Sequence, residues 1–213
     1  NAEWDAYPRD TFDYLGSYEM PETEPVELQT IEEARQAEVD SEVRVRGIAT
    51  AAFEAGGQTN LYIQDDTAGI IVRAPGLNVQ PGDEVEAQGN LNDYFGMAQI
   101  EAGSANVEVV AENVGVPDAQ PVTSSDFSAE NGEAFEGEFV STENVEITDV
   151  NQHGEFTAQD GNGSFLIQPQ DEELLTVGES YEVVQGVVDY SYGNYKLLPR
   201  SEEDIIDVVF SVK

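Results

Sequence analysis

The side chains best suited to chemistry in this sequence are aromatic. The stretch "VVDYSYGNYKLLPR" sets Tyr190, Tyr192 and Tyr195 beside Lys196 and Arg200, and aromatics interleaved with basic residues are the equipment of a surface on which nucleobases stack. An earlier stretch, "NDYFGMAQIE", carries Tyr94 and Phe95. Catalytic groups are scarce by comparison. The one histidine, His153, sits in "DVNQHGEF", which reads as an exposed loop, and no Gly-x-Ser-x-Gly elbow offers it a nucleophile. Absence of cysteine removes disulfides, thiolate metal sites and a cysteine nucleophile. Grouped His and Asp residues of the kind needed for two-metal chemistry are missing, so the expectation is a non-catalytic chain with no cofactor. "DGNGS" does place Asp160, Asn162 and Ser164 at alternate positions, like the opening of a calcium loop. Phe165 nevertheless stands where such a loop needs glycine, and no Glu occupies its last position. A hairpin turn accounts for Asp-Gly-Asn-Gly without a metal, which leaves Asp160 and Asn162 as minor metal candidates.

Charge limits what the aromatics can hold. Eight basic residues face 44 acidic ones, a formal net charge of -36, and Lys196 and Lys213 are the only lysines. Such a surface opposes phosphate backbones and anionic membranes at low salt. Arg44, Arg46, Arg73 and Arg200 are scattered over separate segments, so no basic stripe forms. Loss of lysine together with gain of acid suits a protein adapted to high salt, where the Debye length falls to about 3 Å at 1 M. No apolar run approaches the roughly 20 residues needed to span a membrane, and no basic segment leads into an apolar one. The chain opens on Asn1-Ala2 rather than methionine, which reads as a tag-cleavage scar on a piece of a longer, secreted or cell-surface protein.

These side chains need elements to position them. Residues 1–27 mix Trp4, Tyr7, Phe12 and Tyr14 with proline and acid and show no period, as expected of an arm. "TIEEARQAEV" offers Thr30 as a helix N-cap with Glu33 three residues on, and Ile31, Ala34 and Ala37 at helical spacing. The rest alternates with a period of two. "EVRVRGIAT", "LYIQDD", "GIIVRAPG", "DEVEAQGNL" and "MAQIE" read as five strands. The pattern then recurs in "GEFVSTENVEITDV", "GEFTAQDGNGSFLIQP", "VGESYEVVQGVVDY" and "NYKLLP". Gln64-Asp65 corresponds to Gln159-Asp160, Gly89 to Gly186 and Gly96 to Gly193, an offset of about 95 residues. The copies divide the chain at "VPDAQPV", into residues 28–117 and 118–213.

Three strands, a linker and a hairpin is the order of the OB-fold, a five-stranded Greek-key barrel; spacing alone leaves a small sandwich open. Together, "TIEEARQAEVDSEVRVRGIAT", "YIQDDTAGIIV", "VQPGDEVEAQGNLNDYFGMAQI" and "GVVDYSYGNYKLLPRSEEDI" resemble the tandem OB-fold modules of secreted bacterial nucleases and related surface hydrolases, over residues 28–206. The resemblance implies an all-β chain of two tandem barrels, an N-terminal arm and one short helix. It also implies a binding role, presenting single-stranded nucleic acid to a catalytic domain C-terminal to this region. A structural spacer that contacts another protein is the alternative, and a glycan ligand is a third. OB-folds bind on the face of strands 2 and 3 between the strand 1–2 and 4–5 loops. That face would carry Tyr62, Arg73, Tyr94 and Phe95 in the first copy, and Phe156, Tyr190, Tyr192 and Lys196 in the second. Tyr195 is in phase with Leu197 and reads as core or barrel edge. For Tyr192 core and surface readings both stand, because the turn interrupts the period.

Overall fold

The computed structural model describes residues 25–208; Trp4, Tyr7, Phe12 and Tyr14 of the expected arm lie outside them. A two-residue strand, β1 (Leu28–Gln29), precedes the helix α1 (Ile31–Arg35). The helix begins where the sequence places it. Thr30 accepts from the Glu33 backbone and Glu33 reaches back to the Thr30 N–H, a complete capping box, while Ile31 and Ala34 turn into the core.

Next come β2 (Glu42–Ala55), β3 (Gln58–Gln64), β4 (Gly69–Ala74), β5 (Glu84–Tyr94) and β6 (Met97–Glu101). β2 pairs antiparallel with β3, β3 with β4 and β6 with β5. β4 and β6 run parallel, and β5 returns antiparallel to β2. The ring closes. Five strands, one parallel contact and a first strand shared between two neighbours define the OB-fold barrel. β2 serves both neighbours by bending: Glu42–Ile48 face β5, Ile48–Ala55 face β3, and the register slips between Ala49 and Ala51, a bulge that turns the strand across the barrel. β7 (Val107–Ala111) adds to the outside of β5.

The second copy repeats the closure. β8 (Gln120–Pro121) leads to β9 (Phe139–Val150), β10 (Phe156–Gln159), β11 (Ser164–Ile167), β12 (Ser180–Ser191) and β13 (Asn194–Leu198), with β14 (Ile205–Asp207) at the edge of β12. β9, β10, β11, β13 and β12 form the ring, again with one parallel pair, β11 to β13. Closure removes most of the open sheet edge that a sandwich would present. The chain is all-β apart from α1 and short 3₁₀ turns.

Alternation supplies each core. Val43, Val45, Leu61, Ile63, Ile70, Val72, Val85 and Ile100 point inward in the first barrel, and Val145, Ile147, Phe165, Ile167, Val184 and Leu197 in the second. Each such side chain contributes about 1.5–3 kcal/mol on leaving water. The repeated sequence markers have distinct jobs. A Cβ on Gly89 would come 2.3 Å from the Glu101 carbonyl oxygen, and one on Gly186 would come 2.4 Å from that of Leu198. These glycines let the fourth strand of each ring cross closely over the fifth. Asp65 accepts from the Ile31 N–H at the start of α1, and Asp160 from the Ser124 N–H at the start of the 3₁₀ turn Ser124–Phe127. Each Gln-Asp turn thus pins the segment that enters its own barrel.

A third apolar cluster joins the barrels. Ala51, Tyr62, Ile71 and Met97 of the first pack on Phe139, Val187 and Leu198 of the second, with Val116 and Ala119 of the link beside them. Polar contacts frame it. The Phe139 N–H donates to Gln64 Oε1 at 2.8 Å and Arg200 Nη1 to the Thr50 carbonyl at 2.9 Å. Arg35 reaches both Glu133 and Glu136. Backbones meet at Gly69 and Gly137, where a Cβ on Gly69 would stand 2.2 Å from the Gly137 carbonyl carbon.

Candidate ligand face and hairpin tips

The outer face of the first barrel carries Tyr62, Ile71 and Gln99 in register across β3, β4 and β6. This is the face on which OB-folds hold ligands, and here the second barrel covers it. Tyr62 is 2% exposed and donates to Asp189 Oδ1 at 2.7 Å; burial first, then the Asp189 carboxylate, push its phenol well above the usual tyrosine range. Its expected place on an open platform is therefore corrected. An aromatic and aliphatic face suited to a ligand is equally suited to a neighbouring barrel, and only the tertiary arrangement distinguishes them.

The equivalent positions of the second barrel are Thr157, Leu166 and Lys196, in the same register across β10, β11 and β13. Thr157 and Leu166 are half-buried. Phe156, expected on this face, is corrected too: it is in phase with Ala158, points into the core and is 4% exposed. Lys196 does lie on the outward side, yet its side chain is completely covered. Its ammonium is ion-paired with Glu155 of the β9–β10 loop, lies 3.4 Å from Gln168 Oε1, and sits 5.4 Å from the centre of the Tyr192 ring. The bond from Lys196 and a second from Asn151 hold the Glu155 carboxyl below its usual range. Sequence reasoning missed Glu155; its place directly before β10, in the loop that borders an OB ligand face, was the available signal. His153 is exposed in that loop, as expected. A cleft of about 330 Å³ between the barrels, lined by Asn60, Tyr62, Gln168 and Asp189 among others, adjoins this face.

The 4–5 hairpins end in two-residue loops, Phe95-Gly96 between the Tyr94–Met97 pair and Tyr192-Gly193 between Ser191 and Asn194. All four loop residues have positive φ: 56° and 97° in the first, 53° and 81° in the second. These are type I′ turns, which favour Asn-Gly. A bulky side chain in the left-handed region costs about 1–2 kcal/mol, and here one is held there twice. Phe95 is 87% exposed and Tyr192 95%. Tyr94, half out in solvent, packs edge-on against Phe95 with ring centres 5.0 Å apart. At this exposure neither tip ring belongs to a core. The first tip lies against the second hairpin: a Cβ on Gly96 would come 2.8 Å from the ring of Tyr190, which is two residues, about 7 Å of strand, before Tyr192. The Tyr190 ring lies tilted at 47° against Tyr195, centres 4.6 Å apart, and bridges the core and the seam, so it buttresses the tips. Tyr195 itself is 8% exposed, a core residue.

Arg73 is not brought to this cluster. It bonds Asn60 Oδ1 at 3.2 Å and faces Glu101, four residues along β6 from the first tip. Of the described basic residues, Arg35, Arg44, Arg46, Lys196 and Arg200 are all paired with carboxylates. The metal candidates resolve into turn chemistry. Asp160 accepts from the Ser124 N–H and hydroxyl and from the backbone N–H groups of Asn162 and Gly163. Burial raises its carboxyl, but these donors outweigh burial and hold it at about 2.

Residues 109–209 match the model of a family described as a domain of unknown function, DUF8508, a span centred on the second barrel. No curated protein matches the chain. Among solved structures it is similar to a murine DNA-binding protein bound to double-stranded DNA, with 12% identity, TM-score 0.42, and coverage of 80% of this chain and 98% of that one. It is also similar to replication protein A heterotrimer bound to single-stranded DNA, with 16% identity, TM-score 0.35, and coverage of 40% and 83%. Asparaginyl-tRNA synthetase from Pyrococcus horikoshii is a further likeness, at 17% identity, TM-score 0.36 and 41% of this chain. This chain spans 20–23% of the length of the tRNA synthetases it matches first. The hydrogen-bonded closure of both rings, rather than these likenesses, carries the fold.

Proposed function

We infer that this chain is a non-catalytic module that binds single-stranded nucleic acid by stacking bases on its paired hairpin tips, along the open face of the second barrel. It serves a secreted, salt-adapted, nuclease-like protein whose catalytic domain lies outside these residues. The observation that carries the reading is the pair of exposed aromatic rings, Phe95 and Tyr192, each held in a costly left-handed turn conformation on neighbouring tips. Stacking supplies about 1–3 kcal/mol per base and needs no basic surface. The charge pattern then makes a specific demand: with five of the six described Lys and Arg side chains already paired with carboxylates, few phosphates are neutralised, so affinity changes little with salt instead of falling steeply.

A labelled oligothymidylate titrated at low and at molar salt tests this. The parent chain is expected to bind at both, and the Phe95→Ala, Tyr192→Ala double variant to lose roughly 1–3 kcal/mol per ring removed. Equal binding by the two proteins, or binding by neither, overturns the reading. A rigid spacer in the same parent protein is the second reading, favoured by the apolar seam that fuses the two barrels.

A further inference from the structure

Lys196 is the one lysine among the described residues, and its position is costly. Burying an ammonium is penalised by several kcal/mol unless its partner is well placed, and replacing a buried ion pair with apolar groups is often neutral or stabilising. The structural equivalent in the first barrel shows that this site does not need a charge to fold. There β6 carries Gln99, in the same register with β4 that Lys196 has with β11. Gln99 is uncharged and lies on the face that the second barrel covers. The charge is thus present on the face left open and missing from the face already filled. Its partner is not part of a strand. Glu155 comes from the loop Asn151–Glu155 and is 16% exposed at its side chain, whereas Lys196 is fully covered. The exposed Tyr192 ring lies over the ammonium.

We propose that Lys196 is a phosphate site held closed by Glu155: the Glu155 carboxylate occupies the place of a ligand phosphate, and a strand whose base stacks on Tyr192 exchanges its adjacent phosphodiester for that carboxylate. This rests on the stacking reading for the identity of the polymer, but the site itself asks only for an oxyanion. The exchange swaps one charge-assisted bond for another, and Glu155 swings out to water on its loop. Lys196 stays neutralised throughout, which allows so acidic a chain to keep the site without exposing a free cation.

The test combines Glu155→Gln, Lys196→Gln and the double variant with two probes, labelled oligothymidylate and inorganic phosphate. Glu155→Gln is expected to bind oligothymidylate about tenfold more tightly, with a salt slope steeper by about 0.7, the value for one phosphate of a single strand. Adding Lys196→Gln should erase both gains. In thermal melts, phosphate should raise the midpoint of Glu155→Gln above that in chloride of equal ionic strength, and leave the double variant unmoved. No gain in Glu155→Gln, or a gain that survives loss of Lys196, overturns the proposal. If oligothymidylate binds none of these proteins, the stacking reading falls while the phosphate melts still decide the latch. Should Glu155→Gln fail to fold, Lys196→Gln alone decides: it places at this position the residue found at Gln99, and oligothymidylate binding and phosphate response equal to the parent's overturn the proposal.

Discussion

At the scale of single residues, the tips trade stability for exposure. Asn is far better tolerated than Phe or Tyr in the left-handed region, and Asn-Gly is the preferred pair for this turn. Phe95→Asn and Tyr192→Asn are therefore expected to raise the thermal midpoint, by about 1 kcal/mol of stability each, while weakening oligothymidylate binding. Glu136 is the opposite case, a buried group whose ionisation works against the fold. Its side chain is 1% exposed, Oε1 accepts from the Ala98 N–H across the seam at 3.0 Å, and Oε2 has no partner. Burial raises its carboxyl to about 7, despite the opposing pull of Arg35; Glu133 and Asp189 push the same way as burial. The folded chain thus holds a proton that the unfolded chain releases near the ordinary glutamate value of 4.5, so stability falls as pH rises from about 4.5 through 7. Glu136→Gln keeps the acceptor for Ala98 and removes the titration. Urea midpoints at pH values either side of this window should show the parent losing on the order of 2 kcal/mol relative to the variant.

At the scale of elements, the hairpins and the seam differ in how far the sequence reveals them. The duplicated strands, the capped helix and both 4–5 turns are legible, because period-two alternation, a capping box and Gly96 and Gly193 are local signals. The side on which Phe156 falls is misjudged because a strand's first residue has only one neighbour in phase, Ala158, to fix its direction. Tyr62 is placed on the correct outer face, yet what covers it comes from residues 77 to 136 positions away, Phe139, Val187 and Leu198, and no local pattern encodes that. The seam turns on Gly69. A methyl group there collides with the Gly137 backbone, and Gly69 has an ordinary negative φ, so Gly69→Ala probes contact alone. It is expected to cost about 1–3 kcal/mol and to split a single cooperative melt into two, as the barrels come apart before they unfold. A single unchanged transition would mean the contact yields without consequence.

At the scale of the whole molecule, charge and architecture set what kind of ligand is compatible. Under the function and latch proposed above, a net charge of -36 makes stacking and the latched Lys196 ammonium the means of holding a polyanion, and it favours conditions in which repulsion is screened over a few ångströms. The composition announced that constraint at once. What it could not announce is that duplication here does not yield two equal grooves, since the second barrel serves as the permanent occupant of the first one's groove. Valency therefore cannot be obtained by counting barrels. Under the proposed function, one polypeptide offers a single berth for a strand, with the partner tip lending its ring to the same guest, and avidity along a long polymer would have to come from several chains side by side.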